Sequence, residues 1–279
     1  MLEKHYFVKK PVEIVSLFTL ITRRKDKDFY FAGESHPFWE LVYVMQGSVG
    51  ITADDRVYTL SAGDVIFHKP MEFHRIWSAQ GTSPLICIMS FTAEGECMKK
   101  LECQTVKTDS YARELIEKAV DYGFSAFEFR GIEGFVIDGV KNNENALAFV
   151  NLLELFLCHC AEKGENLVAE SDRDAVLFET AVTKLRENIG DKMTVEQLAE
   201  SCFVSQSKIK KLFAKYAGKG VAEYFTEMKI KEARRLLEEG KTAYDTGEEL
   251  GFSSQFYFSA VFKKVTGVTP SAYKKNVKM

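Results

Sequence analysis

No stretch of the 279 residues approaches eighteen consecutive apolar side chains, which argues against a membrane-spanning helix. The first residues, Met1-Leu2-Glu3-Lys4-His5, lack the basic-then-apolar layout of a secretory leader, so a cytoplasmic protein is expected. None of the six cysteines (Cys87, Cys97, Cys103, Cys158, Cys160, Cys202) forms a Cys-x-x-Cys pair, and their spacing is not that of a disulfide framework. Reduced thiols in a reducing compartment fit that pattern. Cys158 and Cys160 flank His159, but residues i and i+2 of a helix point apart, so buried apolar thiols are favoured over a metal site there. A low-complexity tract is absent, and so is a separate nucleophile-and-base constellation; no catalytic residue is assigned and no enzyme is expected.

What remains is the composition of a water-soluble globular chain, 46% hydrophobic and 28% charged. Its length suits two domains, each able to bury its own core. Charge divides them: residues 173–279 carry 19 Lys and Arg against 14 Asp and Glu, whereas residues 1–172 carry 18 against 26. A basic half beside an acidic half is the footprint of one domain that meets phosphate.

Residues 12–92 read as short strands with turn punctuation: Glu40–Met45, Gly47–Thr52, Val57–Leu60 and Val65–His68, with Asp54-Asp55 and Ala62-Gly63-Asp64 as turns. Many short strands imply a sandwich or barrel. The period turns helical near Asp109, giving helices over Tyr111–Tyr122 and Asn145–Lys163, the latter with Leu147, Val150, Leu153 and Leu157 on one stripe. The polar segment Glu162–Ser171 is placed as a linker. The expected division is therefore 1–108 as a strand-rich domain, 109–170 as a helical region and linker, and 171–279 as an all-α domain, an α+β chain overall.

The helical end contains a repeat. Thr194-Val-Glu-Gln197 is a capping box that opens a short helix; after a turn at Phe203-Val204, Ser205 caps a second helix over Gln206–Tyr216, stopped by Gly218. About 48 residues later Thr242 caps a helix to Leu250, Gly251-Phe252 turns the chain, and Ser253 is the expected cap of a helix running to Val265. Phe258, Val261, Phe262 and Val265 are expected to face inward, and Gly267 with Pro270 ends the unit. Helix, tight turn, capped helix is the helix-turn-helix pattern, in which the second helix lies in the major groove. With Ile209, Leu212 and Phe213 inside, the outward residues are Gln206, Ser207, Lys208, Lys210 and Lys211 in the first copy. In the second they are Ser254, Gln255, Phe256, Tyr257 and Ala260, with Lys263 and Lys264 further on. Glutamine can bridge adenine, lysine can reach guanine or phosphate, and an aromatic can press on a thymine methyl. A helix over Val221–Leu237 joins the copies and sets their separation near one DNA turn, about 34 Å.

At these residues the sequence resembles the AraC family of regulators. The resemblance covers the last hundred or so residues and is most specific over Gly251–Tyr273. It implies sequence-specific DNA binding with Ser207, Lys210, Lys211, Gln255, Phe256, Tyr257 and Ala260 at reading positions. Phe256 and Ala260 stand where the family commonly has a small hydroxyl residue and an arginine, and Lys229 replaces a frequent arginine in the connecting helix, which suggests a less rigid link because lysine lacks a guanidinium fork.

The strand region, with His36-Pro-Phe-Trp-Glu40, Gly47, Gly63-Asp64, Pro70 and His74, is similar to the cupin barrel. The resemblance to regulator cupins implies an effector pocket with Glu34, His36, Trp39, Glu40 and His74 as contacts; Phe38, Tyr43, His68 and Trp77 are further lining candidates, a mix that would suit a sugar. Glu34, His36, Glu40 and His74 are also a conceivable ligand set for iron, manganese or zinc, but hydrogen bonding to an effector is favoured, so no metal and no cofactor is assigned. The expected partners are double-stranded DNA, a small-molecule effector, RNA polymerase and, through the apolar helix of the 109–170 region, a second copy in a homodimer. The competing readings are a metal-dependent cupin enzyme and a constitutive DNA binder whose barrel only dimerises.

Overall fold

The computed structural model describes residues 9–102, 104–130, 135–163, 165–166 and 173–277. The chain divides into two units, Met1–Glu170 and Ser171–Met279. Met1–His5, Cys103 and most of the expected linker at Glu162–Ser171 lie outside the described residues.

The first unit begins with β1 (Glu13–Arg24), β2 (Trp39–Gln46), β3 (Ser48–Ala53), β4 (Arg56–Ser61), β5 (Asp64–His68), β6 (His74–Ser78) and β7 (Leu85–Glu94). It continues with α1 (Glu96–Leu101), β8 (Thr105–Lys107), α2 (Ser110–Ala126), β9 (Phe127–Arg130), β10 (Val136–Val140), α3 (Asn143–Lys163) and β11 (Glu165–Asn166). Among the described residues these strands make an eight-stranded sheet, in the order β11-β8-β5-β2-β7-β1-β10-β9, and a three-stranded sheet, β4-β3-β6.

Side chains alternate across a strand, and β2 shows what each face meets. Val42 and Val44 point toward the small sheet and pack with Val49, Ile51, Leu60, Ile66, Ile76 and Ile86. Trp39, Leu41 and Tyr43 point the other way, onto Phe67, Met89 and Phe91 and onto Ile116, Phe149 and Phe156 of the helices. With both faces covered, β2 reads as an unbroken apolar run. Gly50 of β3 lies beneath Trp77; a Cβ there would sit 2.1 Å from the indole, so the ring closes down only on glycine.

Among the described helices α3 alone is long and apolar enough to cross a membrane. Here it is a docked core helix: Phe149, Leu153, Phe156, Leu157 and Cys160 are buried in the first unit. The carboxylate of Glu154 is also buried and accepts from Lys10 Nζ at 2.7 Å and from the Ile14 amide at 3.0 Å. Of the stripe expected from sequence, Leu153 and Leu157 are buried and Val150 packs on the core, but Leu147 departs from it. Leu147 is 62% exposed, because the larger Phe149 and Phe156 take the inward face. Cys160 is buried and Cys158 lies 3.6 Å from Cys97, and burial pushes the thiols of Cys158 and Cys160 up to about 12. His159 turns away and meets Asp109 at 2.8 Å.

The second unit is helical throughout: α4 (Arg173–Glu187), α5 (Val195–Ser201), α6 (Gln206–Ala217), α7 (Val221–Glu238), α8 (Ala243–Glu249), α9 (Gln255–Thr266) and α10 (Pro270–Val277). Two apolar centres hold it. Phe178 of α4 packs on Phe213 and Tyr216 of α6, with ring centroids 5.2 and 5.3 Å apart. Ile230, Ala233, Leu236 and Leu237 of α7 bury Leu250, Phe258 and Phe262. Val265, expected inside, is 46% exposed and lies outside the cluster that buries Phe258 and Phe262.

Candidate functional site

The helical unit presents the same construction twice. Thr194 Oγ1 accepts from the Gln197 amide while Gln197 Oε1 accepts from the Thr194 amide, so each satisfies a free amide at the start of α5. The chain turns at Phe203, and Ser205 Oγ accepts from the Lys208 amide to start α6. In the second copy Thr242 Oγ1 accepts from the Asp245 amide to start α8. Ser254 Oγ, not that of Ser253, accepts from the Tyr257 amide to start α9. Each cap lies four residues ahead of the first fully buried residue of its helix, Ile209 after Ser205 and Phe258 after Ser254. Left-handed Gly218 and Gly267 end α6 and α9.

With the buried stripes fixed, the outward faces follow. Gln206, Ser207, Lys210 and Lys211 of α6 are exposed. Lys208 leans back to pair with Asp174 of α4 at 2.6 Å. On α9, Phe256 is 89% and Tyr257 54% exposed, with Ala260 and Lys263 also outward. Gln255 is half-buried over Gly247, and the Ser254 hydroxyl is spent on its cap.

The two copies are tied at Lys229 of α7. Its buried ammonium donates to the Asp191 carbonyl ahead of α5 and to the Leu250 carbonyl at the end of α8, both at 2.8 Å. The loose link expected from the missing guanidinium fork is therefore not what is found: the partners are backbone carbonyls of both copies, which a point charge satisfies without a fork. Burial lowers the Lys229 pKa, against which Asp191 favours the charged form. At the same crossing a Cβ on left-handed Gly251 would lie 2.0 Å from the Gly190 carbonyl oxygen.

The first unit gathers three of the five histidines of the chain in one place. Glu34 and His36 lie on the loop before β2, and that loop is pinned to the 71–74 segment. The amides and carbonyls of Glu34 and His74 bond reciprocally at 2.9 and 3.0 Å, and the Met71 amide donates to the His36 carbonyl at 2.8 Å. Glu40 rises from β2, His74 begins β6, and the donor atoms of Glu34, His36, Glu40 and His74 all lie within 4.8 Å of one another. His36 Nε2 is 3.5 Å and His74 Nε2 3.3 Å from the Glu40 carboxylate. The other ring nitrogens face backbone carbonyls, Nδ1 of His36 that of Phe38 at 3.0 Å and Nδ1 of His74 that of Glu72 at 3.2 Å.

Burial alone would raise the Glu40 carboxyl, but the His36 and His74 imidazoles beside it outweigh that and hold it well below the usual carboxylate range. For His74 burial works downward and the Glu40 carboxylate upward, with a net rise. Fully buried His68 is lowered, despite its 2.6 Å contact with Glu72.

Trp39 does not join this group. One residue before Glu40 on β2, it projects to the opposite face and into the core against the helices. Tyr43 does the same, its hydroxyl 3.5 Å from Glu117. Phe38 stacks on the His36 ring at 3.9 Å and His68 on the His74 ring at 4.3 Å. Two supports were not expected from sequence, Ser90, which donates to Glu40 Oε2 at 3.0 Å, and Glu72, which holds both His68 and His74. Ser90 is the register partner of Glu40 across β2 and β7, a pairing that only the sheet order discloses.

Two family models match the chain, an AraC-like ligand binding domain over residues 17–93 and a helix-turn-helix domain over residues 198–276. Together they span more than half of it. An uncharacterized HTH-type transcriptional regulator of Escherichia coli (strain K12), YidL, is 23% identical over 85% of this chain and 75% of its own length. A second, YisR of Bacillus subtilis (strain 168), is 23% identical over 88% of this chain and 90% of its own. Among solved structures, ToxT from Vibrio cholerae aligns over 93% of this chain and 98% of its own with 14% identity and a TM-score of 0.37.

Proposed function

The chain belongs to the AraC-type transcriptional regulators, and from that premise we propose that α6 and α9 are its two reading helices on double-stranded DNA. Gln206, Ser207, Lys210 and Lys211 would meet one groove segment, and Gln255, Phe256, Tyr257, Ala260 and Lys263 the next. The observation that carries the reading is the duplication itself: two capped helices in one unit, each with its apolar stripe buried and its polar or aromatic face outward. Lys208 acts from behind, holding α6 to α4 through Asp174.

The strand-rich unit is the sensor, and Glu34, His36, Glu40 and His74 are its effector contacts. The regulator works in the cytoplasm as a homodimer that acts on RNA polymerase. Leu147 and Leu155, exposed two turns apart on α3, supply apolar surface for the second copy.

The test is a mobility-shift selection on fragments of the source genome, repeated across salt. Lysine contacts to phosphate release counterions, so affinity for the selected fragment falls steeply as salt rises. Failure to retain any fragment over bulk DNA, or binding indifferent to salt, would contradict the proposal.

A further inference from the structure

We infer that Cys97 and Cys158 are an oxidation-sensitive pair that closes into a disulfide inside the strand-rich unit. The inference goes beyond the DNA reading above and stands without it.

The two cysteines are 61 residues apart in the chain, yet their sulfurs lie 3.6 Å from each other. A bond needs about 2.05 Å, so closure asks for a shift of about 1.5 Å shared by two side chains, within reach of small rotations about their Cα–Cβ bonds. The encounter is held from both sides. On α1, Met98 and Leu101 are buried in the core beside Cys97, whose own amide donates to the Pro11 carbonyl at 3.2 Å. Gly95 fixes the entry to that helix, because a Cβ there would lie 2.3 Å from the same carbonyl oxygen. On α3, Leu153, Phe156, Leu157 and Cys160 are buried and set the rotation of the helix, which leaves Cys158 on the flank that meets α1.

Access differs between the thiols. Cys87, Cys97, Cys160 and Cys202 are buried, and among the described cysteines Cys158 alone is partly open to solvent. An oxidant from solution meets Cys158 first, with Cys97 behind it. Among the described residues no further His, Cys, Asp or Glu completes a ligand set of three around this pair.

The chemistry is thiol–disulfide exchange with a low-molecular-weight disulfide as oxidant. Cys158 loses its proton to solvent and its sulfur attacks one sulfur of that molecule; the small S–S bond breaks, a mixed disulfide forms on Cys158, and one small thiol leaves with a proton. Cys97 then gives up its proton, attacks Cys158 Sγ and expels the second small thiol. Two cysteine thiols have lost two electrons and two protons, and one disulfide has become two thiols. Burial keeps the Cys158 thiol protonated, pushed up to about 12, so the first step is slow and the pair records sustained oxidation instead of a brief pulse.

The experiment incubates the full reduced chain with excess oxidised glutathione, unfolds it in urea, alkylates the remaining thiols and reads masses before and after digestion. Two of the six cysteines should be protected, with the mass of two hydrogens lost, no glutathione retained and full reversal by dithiothreitol. Fragmentation of the bridged peptides should join Cys97 to Cys158, not to Cys160, within a single chain. Cys158→Ser should lose the bridge, and Cys103→Ser should keep it. Closing a loop of 61 residues restricts the unfolded chain, so the oxidised protein should unfold at higher urea than the reduced one. Six reactive thiols after prolonged incubation would overturn the inference. So would glutathione left on Cys158 with Cys97 free, a bridge through Cys103 or between two chains, or an oxidised form that unfolds at lower urea.

Discussion

The two helix-turn-helix copies are alike where they fold and unlike where they face outward. Ser205 and Ser254 cap, Ile209 and Phe258 open the buried stripe, and Gly218 and Gly267 close the helix in the same conformation. Outside, Ser207 and Lys211 of α6 correspond to Phe256 and Ala260 of α9, and Lys208, turned back to Asp174, corresponds to outward Tyr257. One face is cationic and suits phosphate and guanine; the other is aromatic and suits thymine methyls and groove shape. The turns differ as well. Left-handed backbone is carried by Phe203 in the first copy and by Gly251 in the second. Only at the second does another strand of backbone press close, so only there is a side chain forbidden. The duplication preserves the scaffold and leaves each copy free to specialise its contacts.

The comparison can be broken in five places. The largest effect belongs to Gly251→Ala, which puts a methyl group against the Gly190 carbonyl in an already unfavourable conformation. It should lower unfolding stability in urea by about 3 kcal/mol. Next comes the pair Lys210→Ala with Lys211→Ala, expected to weaken DNA binding about 10- to 100-fold and to flatten the dependence of log affinity on log salt by nearly one for each phosphate left without its lysine. Phe256→Ala, measured beside it, should change sequence preference and leave that slope alone. Ser205→Ala and Ser254→Ala should each remove about 1 kcal/mol, equally, if the caps are equivalent. Smallest is Phe203→Gly: the side chain is 95% exposed, and relieving its left-handed backbone should stabilise the unit by at most about 1 kcal/mol.

Local features were readable in the sequence. The capping box at Thr194, the Ser205 cap, both terminal glycines and the inward Ile209, Leu212 and Phe213 all depend on neighbours within four residues. Adjacent Ser253 and Ser254 are both good caps, and the distance to the first buried side chain decides for Ser254. Trp39 departs from its expected place for a related reason. Strand alternation puts it opposite Glu40, but a strand buried on both faces shows no alternation of polarity to mark which face is which. Non-local partners were beyond reach. Lys229 meets carbonyls 38 and 21 residues away, Glu154 meets the Ile14 amide 140 residues away, and Ser90 meets Glu40 only because β7 lies beside β2. A resemblance names Glu34, His36, Glu40 and His74, and what the fold adds is the convergence of both Nε2 atoms on the one buried Glu40 carboxylate.

The central claim, two reading helices on one duplex, is tested most directly by hydroxyl-radical footprinting of the full chain on its selected fragment. Two protected segments about one helical turn apart on one face are expected, with Lys210→Ala and Lys211→Ala erasing one and Phe256→Ala perturbing the other. A single protected segment untouched by either change would contradict the account.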